Sequence, residues 1–137
     1  MNFGLTDEQE MIVSTVRSFV EKEIYPHEAE VERTGEVPHE VAEAIKQKTI
    51  DLGFYACNFP EEVGGAGLDT LTWLMYEKEL GRANYALHWT CVARPSNILL
   101  AGTEEQKEKY LTKLVSGEWT GTMCLTESHC GTDLGML

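Results

Sequence analysis

The chain has 137 residues, 42% of them hydrophobic and 25% charged, with a formal net charge of −12. That is one ordinary globular domain with a real core, outside the disordered range. The acidic balance excludes a general nucleic-acid or anionic-membrane surface, no apolar run approaches the roughly 18 residues of a membrane span, and the acidic start Asn2–Glu8 reads as neither signal nor transit peptide.

Thr6-Asp7-Glu8-Gln9 is a capping-box pattern, with a threonine oxygen for one orphan N–H and a glutamine able to reach back. Ile12, Val16, Phe19, Val20 and Ile24 follow as one apolar stripe of a long helix. Pro26 is expected to interrupt or end it, leaving the acidic segment around Glu28–Glu32 as an exposed turn or two. Gly35 and Pro38 punctuate. A second helix then carries Val41, Ala44, Ile45 and Leu52, with Gly53 as its C-terminal cap.

Residues 54–68 have no helical period and hold Pro60, Gly64, Gly65 and Gly67. No Lys-Ser/Thr follows as a phosphate loop requires, so the stretch reads as a tight turn packed between helices. Asp69 is placed as N-cap of a third helix, with Leu71, Leu74, Met75 and Leu80 inward and Gly81 closing it. Asn84 opens a fourth, running through Ala101 and kinked at Pro95. Leu87, Cys91, Ile98, Leu99 and Leu100 make it the most apolar helix and therefore central. Thr103-Glu104-Glu105-Gln106 is a second capping box, opening a helix with Tyr110, Leu111, Leu114 and Val115 inward.

From Glu118 the pattern changes. Trp119, Met123 and Leu125 alternate with Thr120, Thr122, Cys124 and Thr126, the period of a half-buried strand. Glu127 to Gly135 is small, polar and glycine-bearing, a loop able to offer backbone N–H groups and hydroxyls to an anionic or flat polar ligand, or simply an ordinary turn. The expected fold class is all-α, a bundle of about five helices over residues 1–117. Residues 118–137 hand over to a β segment.

Candidate chemistry is sparse. His129 and Cys130 are adjacent on the chain and point apart, which makes a poor thiolate–imidazole pair. Cys124, His129 and Cys130 match no common zinc spacing and lack an obvious fourth ligand. The four cysteines (57, 91, 124 and 130) read as reduced thiols of a cytoplasmic protein. His27, His39 and His88 are isolated, and Trp73 and Trp89 read as core or subunit contacts. Arg94, beside Pro95 in an apolar segment, either snorkels or pairs with one of many carboxylates, or it contacts a polar ligand group.

Four collinear stretches carry a resemblance. They are Asn58-Phe59-Pro60-Glu61-Glu62-Val63-Gly64-Gly65-Ala66-Gly67, Glu79-Leu80-Gly81-Arg82, Gly102–Leu111 with its Gln106-Lys107 and Tyr110-Leu111 ending at Ser116-Gly117-Glu118, and Thr126-Glu127-x-x-x-Gly131-Thr132-Asp133. Together they resemble the acyl-CoA dehydrogenase family. The last departs from the family's Thr-Glu-Pro-x-x-Gly-Ser-Asp: Ser128 replaces proline, Thr132 replaces serine, and His129 and Cys130 stand where the family has small residues.

The resemblance implies an N-terminal helical domain at 1–117 and, at 118–137, the first strand and flavin-contacting loop of a truncated β domain. It also implies FAD as cofactor and α,β-dehydrogenation of an acyl-CoA substrate with hydride passing to the flavin. The electron-transfer flavoprotein would be redox partner, and the full enzyme a homotetramer or homodimer. By the same resemblance Met123, Cys124, Leu125, Thr126, Gly131 and Thr132 lie against the flavin, while Thr132 and Arg94 contact substrate. The family's general base has no counterpart here, so this chain is expected to be inactive alone. Two other classes stay open: a stand-alone acidic helical interaction module, and an acyl-chain-binding bundle without redox activity.

Overall fold

The computed structural model describes residues 4–122, 124–133 and 135. Those residues form five helical runs. The first comprises α1 (Asp7–Phe19), a π turn (Val20–Ile24) and α2 (Tyr25–Thr34). The second is α3 (His39–Asp51) and the third α4 (Thr70–Leu80). The fourth is α5 (Tyr85–His88) with a 3₁₀ turn at Trp89–Cys91. The fifth joins α6 (Glu104–Gln106), a second π turn (Lys107–Leu111) and α7 (Thr112–Val115).

Both capping boxes form. The Thr6 and Thr103 hydroxyls accept from the Gln9 and Gln106 N–H groups, and each glutamine side chain returns to its threonine N–H. The predicted stripe of the first run is buried along its whole length, Val16, Val20 and Ile24 completely. Pro26 does not end that run. In the π turn the Tyr25 N–H reaches back five residues to the Val20 carbonyl, and the widened turn passes Pro26, which has no N–H, to the first turn of α2. The segment around Glu28–Glu32 is accordingly helical.

The core joins α1, the π turn, α3, α4 and α5 around Val16, Ile45, Tyr76, Leu80, Leu87 and Cys91. A smaller cluster of Ala56, Phe59, Ala93, Leu111 and Val115 seats the last helical run. Leu80, Leu87 and Leu111 have no residual exposure, and each such side chain contributes about 1.5–3 kcal/mol relative to an exposed one. Tyr76 stacks on Phe54 with ring centroids 5.4 Å apart and donates to the Cys91 carbonyl at 3.2 Å.

Three expectations about faces are corrected. On α4, Leu71 and Leu74 are exposed, whereas Thr72, Tyr76, Glu79 and Leu80 are buried. Two polar members of that face are satisfied: Thr72 by Asp69 and Gln9, Glu79 by Arg17 and Arg82. Ala44 on α3 and Leu52 at its C-cap face solvent, and Thr49 takes the core position, its hydroxyl donating to the Ile45 carbonyl. In the last run, Tyr110 is exposed while Leu111 and Val115 are buried.

The fourth helix is also shorter than expected. Asn84 caps it as predicted, accepting from the Ala86 N–H, but helix gives way at Val92 and returns only as a 3₁₀ turn at Asn97–Ala101. Pro95 disfavours the helical conformation at Arg94, so the chain breaks there instead of kinking. Ile98 ends 76% exposed.

The strand expected from Trp119 to Thr126 has no ladder among the described residues. The Trp119 N–H donates back to the Lys113 carbonyl at 3.0 Å, and a strand needs a neighbour to accept its backbone groups. Met123 lies outside the described residues. No helix among the described residues is long and apolar enough to cross a membrane.

Candidate functional site

The structure separates the predicted site residues into two places. The first is the C-terminal loop. There the Glu127 N–H donates to the Cys130 carbonyl at 2.7 Å, closing a tight reversal. The reversal brings Gly131 against Thr126: a Cβ built on the glycine would lie 3.4 Å from the threonine Oγ1. Cys124, Leu125, Thr126 and Thr132 are exposed. Among the described residues no protein group bonds the hydroxyl of Thr126 or of Thr132, so both are free to meet a ligand.

The second place is a cleft of about 290 Å³ around Arg94. Its walls come from α3 (Ala42, Glu43, Lys46), from Tyr55, from Trp89 and Thr90 after α5, and from Trp119 to Gly121. The Ala93 N–H donates to the Tyr55 carbonyl, and Pro95 is buried, which together fix the backbone on both sides of Arg94. Gly121 packs on the Arg94 carbonyl, where an added Cβ would stand 3.3 Å from the oxygen. The Arg94 guanidinium lies over the Trp89 ring, 3.7 Å from its centroid. Of the two structural readings open for Arg94 in the sequence, pairing with a carboxylate is not what the described residues show.

Electrostatics differ across this cleft. The Glu43 carboxylate is tied to Lys46 at 2.8 Å, and that hydrogen bond holds its pKa below the ordinary glutamate value. Burial raises the pKa of the Tyr55 phenol, which stays protonated.

The two buried cysteines do not support thiol chemistry. Burial pushes the Cys57 thiol up to about 12 and Cys91 to about 11, so neither supplies a thiolate at neutral pH. No group of three or more metal-ligating side chains gathers among the described residues. His88 pairs with Glu77 at 3.2 Å, an arrangement its isolation in the sequence did not suggest.

Sequence reasoning also missed the cleft walls themselves. Lys46, Tyr55, Trp89 and Trp119 come from four distant segments, and only the unusual position of Arg94 signalled them.

A family model described as the acyl-CoA dehydrogenase N-terminal domain matches residues 6–118. A probable acyl-CoA dehydrogenase of Bacillus subtilis (strain 168) is 40% identical over 141 residues, covering 98% of this chain and 36% of that protein. The short-chain specific acyl-CoA dehydrogenase of Clostridium acetobutylicum is 39% identical over 139 residues, with the same two coverages. Among solved structures, a glutaryl-coenzyme A dehydrogenase–glutaryl-CoA complex superposes with a TM-score of 0.80 at 33% identity, covering 100% of this chain and 35% of that one. The butyryl-CoA dehydrogenase of Megasphaera elsdenii gives 0.76 at 33% identity, covering 98% and 36%. The chain spans about a third of the length of the curated relatives it matches.

Proposed function

This chain belongs to the acyl-CoA dehydrogenase family through its N-terminal domain, and on that premise we propose that it serves FAD-dependent α,β-dehydrogenation of an acyl-CoA thioester. In this reading residues 1–117 are the helical domain, and residues 118–137 are the first strand and flavin-side loop of a β domain. The observation that carries it is the loop, where Thr126 and Thr132 present exposed hydroxyls that no group among the described residues bonds, beside the exposed apolar Leu125.

That surface fits one edge of a flat ring with polar rim atoms. Thr126, Gly131 and Thr132, with the backbone of Cys124 and Leu125, would hold the flavin; Met123, outside the described residues, belongs to the same set. When bound, the flavin supplies the acceptor for the hydride leaving the substrate's β carbon. The chain's own part is to orient that acceptor and to wall off the acyl group. Thr132 would also contact the substrate, and Arg94 would meet a polar end of its acyl group. The electron-transfer flavoprotein would take the electrons, and the working enzyme would be a homodimer or homotetramer. Exposed Leu71, Leu74 and Ile98 are the apolar surface such assembly would cover.

Grafting provides the test. This chain would replace the corresponding segment of the Megasphaera elsdenii butyryl-CoA dehydrogenase, which it covers to 36%, and a panel of acyl-CoA thioesters would be assayed with an artificial acceptor. A yellow chimera with acyl-CoA-dependent turnover is expected. A folded, colourless or inert chimera refutes the proposal. The ungrafted 137-residue chain is expected to show no turnover, because Glu43, the carboxylate on the cleft wall, is held by Lys46 and makes a poor base for an α proton.

In the same chimera, Thr126→Val is expected to lower the flavin's two-electron potential and slow its reduction by substrate. One hydroxyl hydrogen bond is worth about 0.5–1.5 kcal/mol net, and valine keeps the β-branched shape. An unchanged potential would remove Thr126 from the flavin contact.

A further inference from the structure

We propose that the Arg94 cleft binds the carboxylate of a ligand whose remaining body is flat and apolar, that is, an aromatic or conjugated carboxylic acid, or an acyl group that ends in one. For the thioester-borne group this rests on the dehydrogenase reading; for the free acid it does not.

Arg94 is a cation that the described residues leave without an anion, in a chain with 23 aspartates and glutamates. Among the described residues the other three arginines, Arg17, Arg33 and Arg82, each find a carboxylate, as do four of the seven lysines, Lys46, Lys48, Lys107 and Lys113. Arg94 instead lies over the indole of Trp89, 3.7 Å from its centroid. A guanidinium resting on an aromatic plane keeps its edge N–H donors free, and that edge matches the two oxygens of a carboxylate.

The position is also preorganised. Backbone on either side of Arg94 is held by the Ala93–Tyr55 hydrogen bond and by buried Pro95, and Gly121 covers the Arg94 carbonyl. Little backbone ordering therefore remains to oppose binding, and the exposed guanidinium is positioned by its contact with Trp89. Glu43, the acid on the cleft wall, would repel a carboxylate, but Lys46 neutralises it at 2.8 Å. Aromatic walls from Tyr55 and Trp119, beside the Arg94–Trp89 stack, suit a flat body, and about 290 Å³ accommodates a small aromatic acid.

The experiment titrates cinnamate and its neutral amide, cinnamamide, into the 137-residue chain, followed by tryptophan fluorescence and by the indole N–H resonances of the NMR spectrum. Cinnamate is expected to bind about tenfold tighter than the amide, the order of one charge-assisted pair in a solvent-exposed cleft, and the preference should shrink as salt rises. Arg94→Gln should abolish the preference and Arg94→Lys should keep part of it, with unfolding midpoints matching the parent. Equal binding of acid and amide, no binding of either, or a preference that survives Arg94→Gln each overturns the proposal. Acid selectivity in the chain together with an inert chimera would leave this site standing while refuting the dehydrogenase reading. An active chimera without acid selectivity would do the reverse.

Discussion

Gly65→Ala is expected to abolish the native fold of the 54–68 turn and to destabilise the chain by at least about 3 kcal/mol, the range of severe backbone and overpacking defects. The added Cβ would sit 2.0 Å from the Phe59 carbonyl oxygen and 2.8 Å from that of Ala56. Neither atom is a flexible side-chain end that can swing away. The Phe59 carbonyl accepts the Gly67 N–H at 2.8 Å, and the Gly65 N–H itself donates to Pro60 at 3.0 Å. Moving one strand of the turn therefore breaks bonds that close the other. Phe59 and Ala56 also belong to the smaller core cluster with Leu111 and Val115, so the damage would reach the last helical run. Gly35→Ala is the control: its φ is +75° but no atom lies within 4 Å of the added Cβ, so it should cost only the left-handed strain, about 1 kcal/mol. Urea unfolding of both variants at neutral pH separates the cases. Comparable midpoints for the two would show that the turn relaxes and is not a close-packed element.

That turn was legible because glycine and proline punctuate locally, and the caps at Thr6, Asp69, Asn84 and Thr103 were legible for the same reason: a cap is a rule about four consecutive residues. The stripe of the first run was equally clear, since its buried positions are all apolar. Faces failed where the core is polar. Counting apolar residues on α4 selects Leu71 and Leu74, yet the buried side carries Thr72 and Glu79, whose partners Gln9 and Arg17 lie 63 and 62 residues away in sequence. No local pattern shows that such partners will arrive.

The break at Val92 illustrates a different limit. Apolar content alone could not distinguish one kinked helix from two short turns flanking Arg94 and Pro95. At the site, the Thr126–Thr132 loop stood out in the sequence through its motif, which lies beyond residues 6–118 where the family model matches. The Arg94 cleft was not readable, because its walls come from segments that only the tertiary fold brings together. Likewise the alternation from Trp119 to Leu125 has the period of a strand, yet it finds no ladder partner among the described residues. Period specifies which side chains share a face; it cannot supply the hydrogen-bonding partner.

The Glu79-Leu80-Gly81-Arg82 motif has a structural use that its helix-end reading did not anticipate, and Glu79→Ala is expected to lower stability by about 2–3 kcal/mol at pH 7. The Glu79 carboxylate is 8% exposed and accepts from Arg17 through two bonds of 2.9 and 2.8 Å, with Arg82 adding a third at 3.3 Å. This pairing ties α4 to α1 across a contact that also buries Leu80. Removing one member of a fully buried pair costs about 3–5 kcal/mol, but Arg17 is 49% exposed and can return to water, which reduces the loss. Glu79→Gln keeps the shape and should cost less, about 1–2 kcal/mol, because the charge-assisted bonds become neutral ones. The Arg17 hydrogen bond, foremost among the causes, holds the Glu79 pKa below its ordinary value of 4.5. A depressed carboxylate pKa stabilises the fold fully above the unfolded value, and that contribution is lost as pH falls through the folded one. Parental stability should therefore decline below about pH 4.5 more steeply than that of Glu79→Gln, and the two curves should converge in acid. Asp69, whose pKa is lowered by the Thr72 hydroxyl, contributes the same slope to both proteins and leaves the difference unaffected. Parallel curves from pH 7 to pH 3 would show that the Arg17–Glu79 pair holds α1 to α4 by shape alone.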